Sequence, residues 1–148
     1  MARIAARNAS LYMEDNTGVC RAFSSYLNSI TLSYSVEAPD ITGFGENDRQ
    51  RLPGGIKDWT LSFNAFFATG ASEIDVWMNG ILTNGASTGQ TLFKFGPAGS
   101  SASSIMYSGC AVMTEYSSDF SVEGAATISG TLVARSGSLS RTSPSPWA

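Results

Sequence analysis

Polar and apolar residues alternate along three long stretches of the chain. In residues 30–37, Ile30, Leu32, Tyr34 and Val36 point one way and Thr31, Ser33, Ser35 and Glu37 the other. Residues 57–67 set Trp59, Leu61, Phe63, Ala65 and Phe67 against Asp58, Thr60, Ser62 and Asn64. Residues 126–134 set Ala126, Ile128, Leu132 and Ala134 against Thr127, Ser129 and Thr131. A period of two sends successive side chains to opposite faces, so each stretch predicts a strand with one dry and one wet face. Residues 105–116 predict a fourth long strand with both faces mixed, Ile105, Tyr107 and Met113 against Met106, Val112 and Tyr116. Shorter strands are expected near 10–14, 19–23 and 91–95.

One segment follows a different period. Ile74, Trp77, Met78, Ile81 and Leu82 form a single helical stripe, which predicts a short helix over about 73–82. Ser72 is placed to cap it, Glu73 and Asp75 suit its positive end, and Asn84-Gly85 supplies a stop. Residues 38–56 show neither period. They hold Pro39, Asp40, Phe44, Glu46, Asp48, Arg49, Arg51 and Pro53-Gly54-Gly55, and predict a long irregular loop. A loop of that length in a compact domain is usually functional, and its charges and Phe44 suit a contact arm. Residues 96–104 read as a turn or hairpin tip, and no internal repeat is visible. The whole is expected to be one domain over 1–148, with an N-terminal arm over about 1–9 and a loose Ser/Pro-rich tail over about 136–148.

Composition narrows the function. Only 14% of the 148 residues are charged, whereas Ser and Thr number 35. The net charge is −3 and the only lysines are Lys57 and Lys94, the reverse of a chain that grips nucleic-acid phosphates. Histidine is absent, which removes imidazole acid–base catalysis, His-containing triads and nearly all transition-metal sites. Cys20 and Cys110 are too few for a disulfide framework or a four-cysteine zinc site, and are expected as two buried small hydrophobes in a reducing compartment. No run approaches the roughly 18 apolar residues of a membrane span. The first residues carry Arg3 and Arg7 but no apolar stretch behind them, so they do not read as a secretory signal.

The remaining chemical motifs are weak. Gly85-Ala-Ser87-Thr-Gly89 has a helix before it and a strand after it, the reverse of a nucleophile elbow, and there is no histidine to take the proton. Gly43-x-Gly45 lacks a third glycine and opens no helix. Glu14-Asp15, or Asp40 with Glu46 and Asp48, offer oxygen ligands without the spacing of a calcium loop. No carboxylate pair stands out for glycoside hydrolysis. The aromatic residues fall mostly on dry faces, where packing explains them better than base stacking. No cofactor and no catalysis are expected.

A shape argument is left. Long strands with an uncharged wet face expose edges that invite another chain, and lysine, the usual edge guard, is nearly missing. A sheet completed between identical subunits in a ring leaves no free edge.

The succession Asp40-Ile-Thr42-Gly-Phe44-Gly45, then Pro53-Gly-Gly-Ile-Lys-Asp58-Trp59 leading into a strand, resembles the major tail tube proteins of long-tailed bacteriophages. So do the short helix at 73–82, Phe93-Lys-Phe-Gly96-Pro97-Ala-Gly99, Tyr107-Ser-Gly109 and a terminal strand running into Gly137 and Arg141. The resemblance covers roughly residues 27–142 and lies in the order of elements more than in a strict signature. It implies a mainly β fold, a tail-tube-like β-sandwich or half-barrel with one helix. It implies hexameric rings that join inner strands into a barrel and stack into a tube. The tube would be assembled around a tape measure protein, terminator and baseplate proteins would lie at its ends, and DNA would pass through without specific binding. The location implied is the virion tail, assembled in the host bacterial cytoplasm.

On that picture Thr31, Ser33, Ser35, Glu37, Asp58, Thr60, Ser62, Asn64, Thr127, Ser129 and Thr131 are the candidates for a hydrated bore, whose mild acidity would repel the duplex. A subunit also has a wet outside, and alternation fits either. For stacking, Phe44 would anchor in an apolar pocket of the next subunit, with Asp40, Arg49 and Arg51 setting register by charge pairs. The other reading tucks Phe44 into its own core and leaves the charges solvated. Competing functions are a tail terminator or capsid decoration protein, which would form a closed ring or trimer without stacking, and a carbohydrate-binding adhesion module.

Overall fold

The alternating stretches fold as strands. The computed structural model describes residues 6–15, 17–68, 73–84, 91–99 and 105–142. After a short turn of 3-10 helix at Ala6–Asn8 come β1 (Ser10–Glu14), β2 (Cys20–Ala22), β3 (Leu27–Val36) and β4 (Lys57–Phe66). Then follow α1 (Ile74–Asn84), β5 (Thr91–Gly96), β6 (Met106–Asp119) and β7 (Thr127–Thr142). All seven strands form one antiparallel sheet in the order β2-β1-β5-β6-β7-β4-β3.

The chain connection forces that sheet to curl. β2 and β3 lie at opposite ends of the strand order, yet residues 23–26 alone join them. Seven flat strands spaced ~4.8 Å apart would hold their outer members about 29 Å from one another. A link of four residues spans at most about 18 Å. The link visibly ties the two ends together, because the Phe23 N–H donates to the Leu11 carbonyl (2.9 Å) and the Tyr26 carbonyl accepts from the Phe66 N–H (2.8 Å). The result, from a single sheet, is a half-barrel, one of the two forms expected.

Its concave side holds the core. Leu11, Met13, Leu61, Phe63, Phe93, Ile128 and Leu132 are buried there, and α1 adds Ile74, Met78 and Ile81. Trp59 on β4 reaches Phe93 on β5 across the curl, with ring centroids 5.0 Å apart. Glycine makes room for two of these rings. A Cβ at Gly109 would lie 2.9 Å from the Trp59 ring, and one at Gly130 would lie 2.7 Å from that of Phe63. Trp77 packs edge-on against Phe23, with centroids 5.3 Å apart. Leu82, expected in the same stripe, is exposed, so the buried face of the helix is narrower than its run of apolar residues.

The long loop expected over 38–56 lies between the named strands, with its backbone partly paired. It continues the β3–β4 hairpin as a narrow ladder: Glu37 N–H to the Ile56 carbonyl, Leu52 N–H to that of Pro39, Ile41 N–H to that of Gln50, and a bridge between Asp40 and Arg51. Water bathes both of its faces, so no alternation marks it. The tail expected to be loose from 136 is strand as far as Thr142, where β7 pairs with Met106, and Leu139 packs on the core. Cys20 is exposed rather than buried, because β2 is a three-residue edge strand that turns Cys20 and Ala22 outward, and Cys110 is half-buried. Residues 1–5, Ser72, Gly85–Gly89, 100–104 and 143–148 lie outside the described residues. That places most of the N-terminal arm, the helix cap, the Gly-x-Ser-x-Gly motif and the end of the tail beyond this account.

Candidate assembly surfaces

The register of β3, β4, β7 and β6 lines up the hydroxyl-bearing residues in rows. Thr31, Ser62 and Thr131 face one another across three strands, with Glu115 of β6 as the fourth member. The next row is Ser29, Asn64, Ser129 and Ser117, and a third is Ser33, Thr60, Val133 and Val112. Asn64 Nδ2 donates to Ser29 Oγ at 3.0 Å, and the hydroxyls of Ser117 and Ser129 are 2.7 Å apart. Ten of the sequence candidates therefore share one face: Thr31, Ser33, Ser35, Asp58, Thr60, Ser62, Asn64, Thr127, Ser129 and Thr131. Glu37 falls just past the end of β3, at the root of the hairpin arm.

The face is polar and carries few charges. Its carboxylates sit near its ends (Glu37 and Asp58 at the arm root, Asp119 opposite Thr127), with Glu115 alone inside the rows. A cleft of about 370 Å³ at the arm root gathers Glu37 and Asp58 with Lys57 and Arg135. Alternation missed the β6 contribution. The register of β6 against β7 shifts between Met113 and Glu115, and Thr114 turns its hydroxyl to the Thr131 carbonyl, so the period breaks in mid-strand.

Among the described residues several stretches of sheet edge are open (three-residue β2 and the end of β7 past Val133 among them), and two of them bound the layer β6-β7-β4-β3. β3 ends the strand order and pairs with β4 alone. Its ten residues contain no charge and no proline. On β6, pairing with β5 stops at Ala111, and among the described residues 112–119 pair with β7 only. Both edges lie at the same height of the sheet, since Ile30, Phe63, Gly130 and Tyr116 share one row. The unpaired part of β6 is braced by the helix: Tyr116 donates to Asp75 at 2.6 Å, and burial together with that carboxylate raises the phenol's pKa. Tyr26 donates to Glu73 just ahead of the helix, and this bond raises its pKa as well.

The arm is exposed along its whole length. Phe44 at its tip is 111% exposed, outside any core of its own chain. Ile41, Leu52 and Ile56 are also exposed. Asp40 organises the turn by accepting from the Thr42 N–H (2.9 Å) and hydroxyl (2.6 Å), which lowers its pKa, and Arg49 Nε lies 3.4 Å from its other oxygen. Arg51 is exposed on the opposite limb. At the far end of β3 a second cleft, about 600 Å³, opens where the two ends of the sheet approach, lined by Arg7, Leu27, Ile30, Phe95 and Pro97.

Nothing among the described residues groups three or more His, Cys, Asp or Glu as a metal site, and no helix is long and apolar enough to cross a membrane. The carboxylate of Asp15 is structural. Burial would raise its pKa, but bonds from Thr17, Arg21 and Val19 outweigh this and hold it down at about 2.

No family model and no curated protein sequence matches the chain. Its shape does match solved structures. The tail of an empty gene transfer agent particle, refined with C6 symmetry, superposes with a TM-score of 0.76 at 17% identity, over 95% of this chain and 100% of that one. The tail tube of SPP1 gives 0.74 at 15% identity, over 97% and 81%. The sheath-tube complex of the extracellular contractile injection system PVC, in its extended state, gives 0.66 at 16% identity, over 95% and 92%. The chain thus has the tail-tube fold, mainly β with one α-helix among the described residues.

Proposed function

We propose that this chain is the structural subunit of a phage-type tail tube. One observation carries the reading: β3 and residues 112–119 of β6 are open edges at the same height on opposite sides of one four-strand layer. β3 and β6 also run antiparallel, so β3 of one copy can pair with β6 of the next. Repetition around an axis then closes these two edges into a ring. In such a hexameric ring the hydroxyl rows of β3, β4, β7 and β6 line the bore. Short uncharged side chains keep that wall hydrated, and the few carboxylates hold DNA off it, so the duplex passes without a phosphate grip.

Rings then stack through the arm, with Phe44 as its apolar anchor and Asp40, Arg49 and Arg51 setting register. The tape measure protein would occupy the bore during assembly. Terminator and baseplate proteins would close the ends, and the finished object would be part of a virion tail built in the bacterial cytoplasm. A ring-capping role would leave the apolar arm bare, which favours the stacking subunit. No step of this function requires catalysis or a cofactor. Negative-stain microscopy of the purified chain across a concentration series tests it. Hollow cylinders of uniform width are expected; isolated rings, trimers or monomers at every concentration would overturn it.

A further inference from the structure

The four-strand layer has two ends, and they are complementary. At one end the arm follows Val36 and precedes Lys57. At the other, Phe66, Thr127 and Asp119 share a row, and the β6–β7 turn over 120–126 projects beyond it. That turn carries a second exposed apolar group. Val122 is 105% exposed, Phe120 and Phe66 are exposed beside it, and Phe120 rests one edge on Phe67 with ring centroids 5.1 Å apart. The turn carries acids alone, Asp119 and Glu123, whereas the arm sets Arg49 and Arg51 beside Asp40, Glu46 and Asp48, with Arg49 already facing Asp40, so Arg51 is the arm cation left for the turn.

Resting on the tail-tube reading, we propose that the β6–β7 turn is the receptor for the arm of a second copy in the adjoining ring. The order of groups matches along the axis. From its root outward the arm presents Leu52, then Arg51 with Asp40 opposite it, then Ile41 and Arg49, then Phe44 with Glu46 and Asp48 near the tip. From its tip inward the turn presents Val122 and Glu123, then Phe120 and Asp119. Overlap of the two sets Leu52 on Val122, Arg51 by Glu123, and Phe44 toward Phe120 and Phe66. The paired limb of the arm extends on the order of 20 Å past the sheet, long enough for that overlap. Donor and receptor lie at opposite ends of one subunit, so the contact is heterologous and repeats without closing, which is what a growing tube needs. Apolar anchors supply affinity and the charge pairs fix register.

The test is a charge exchange in the full-length chain: Arg51→Glu, Glu123→Arg and the double variant, each confirmed as folded by circular dichroism and as ring-forming by microscopy. Both sites are solvent-exposed, and the double variant controls for harm done by either change alone. Each single variant is expected to raise the concentration needed for tubes by about tenfold while rings persist, with the double variant returning to within about threefold of the parent. Single variants that form tubes normally, or a double variant no better than the singles, would overturn the proposal and leave the tube reading intact. Failure of the parent chain to form rings or tubes would instead sink both.

Discussion

The hydroxyl of Tyr116 donates to Asp75 across 2.6 Å, fastening the first turn of α1 to the part of β6 that, among the described residues, pairs with β7 alone. This bond holds an open edge in extended form before any neighbour arrives. Tyr116→Phe keeps the ring and removes the bond, leaving the carboxylate without that donor. The expected loss is about 1 kcal/mol of unfolding free energy by urea titration. An unchanged midpoint would show that the helix holds the edge by packing alone.

Gly130 faces Phe63 directly in the β4–β7 register, and the Phe63 ring occupies the space of a missing Cβ. Gly130→Ala drives a methyl into a buried ring inside the sheet. A cost of about 1–3 kcal/mol is expected, seen as a lowered thermal midpoint.

Asp15 gives the fold an acid limit. Its pKa is held down from 3.8 to about 2, so its contribution is complete above pH 4 and fades as pH falls through about 2. Asp15→Asn cannot pair ionically with Arg21 and should lose about 2 kcal/mol at neutral pH. The gap to the parent should narrow as pH approaches 2, when the native carboxyl also takes up its proton. A gap independent of pH would mean that packing around residue 15, not charge, is what the substitution disturbs.

Thr31 and Ser33 sit on the unguarded edge strand, facing the proposed bore. Thr31→Lys with Ser33→Lys adds positive charge at every seam between copies while touching only exposed side chains. The monomer is expected to keep its thermal midpoint and to assemble poorly at low ionic strength, with recovery in salt as the repulsion is screened. Assembly indifferent to both the lysines and the salt would place this face elsewhere than at a ring of seams.

Half-buried elements were the legible part of this fold. The strand around Trp59, Leu61 and Phe63 and the helix around Ile74 and Met78 each print one buried face onto the sequence as a period. Segments wet on both sides print none, so the arm hairpin from Glu37 to Ile56 read as irregular although its backbone is partly paired. The register shift near Thr114 hid Glu115 and Ser117 from the polar face they join. Phe66, Phe120 and Val122 were invisible as a group because β4 and the β6–β7 turn meet only through the sheet register. The curl itself depends on pairing at both ends of residues 23–26, which no local pattern reports.

In the proposed tube, β3 and residues 112–119 of β6 become partners between copies. Amide hydrogen exchange, compared between monomer and assembled particles, tests this pairing most directly. The amides of Leu27–Val36 and Val112–Asp119 that point away from β4 and β7 should exchange quickly in the monomer and become protected together on assembly. Assembled particles in which neither segment gains protection would contradict the pairing.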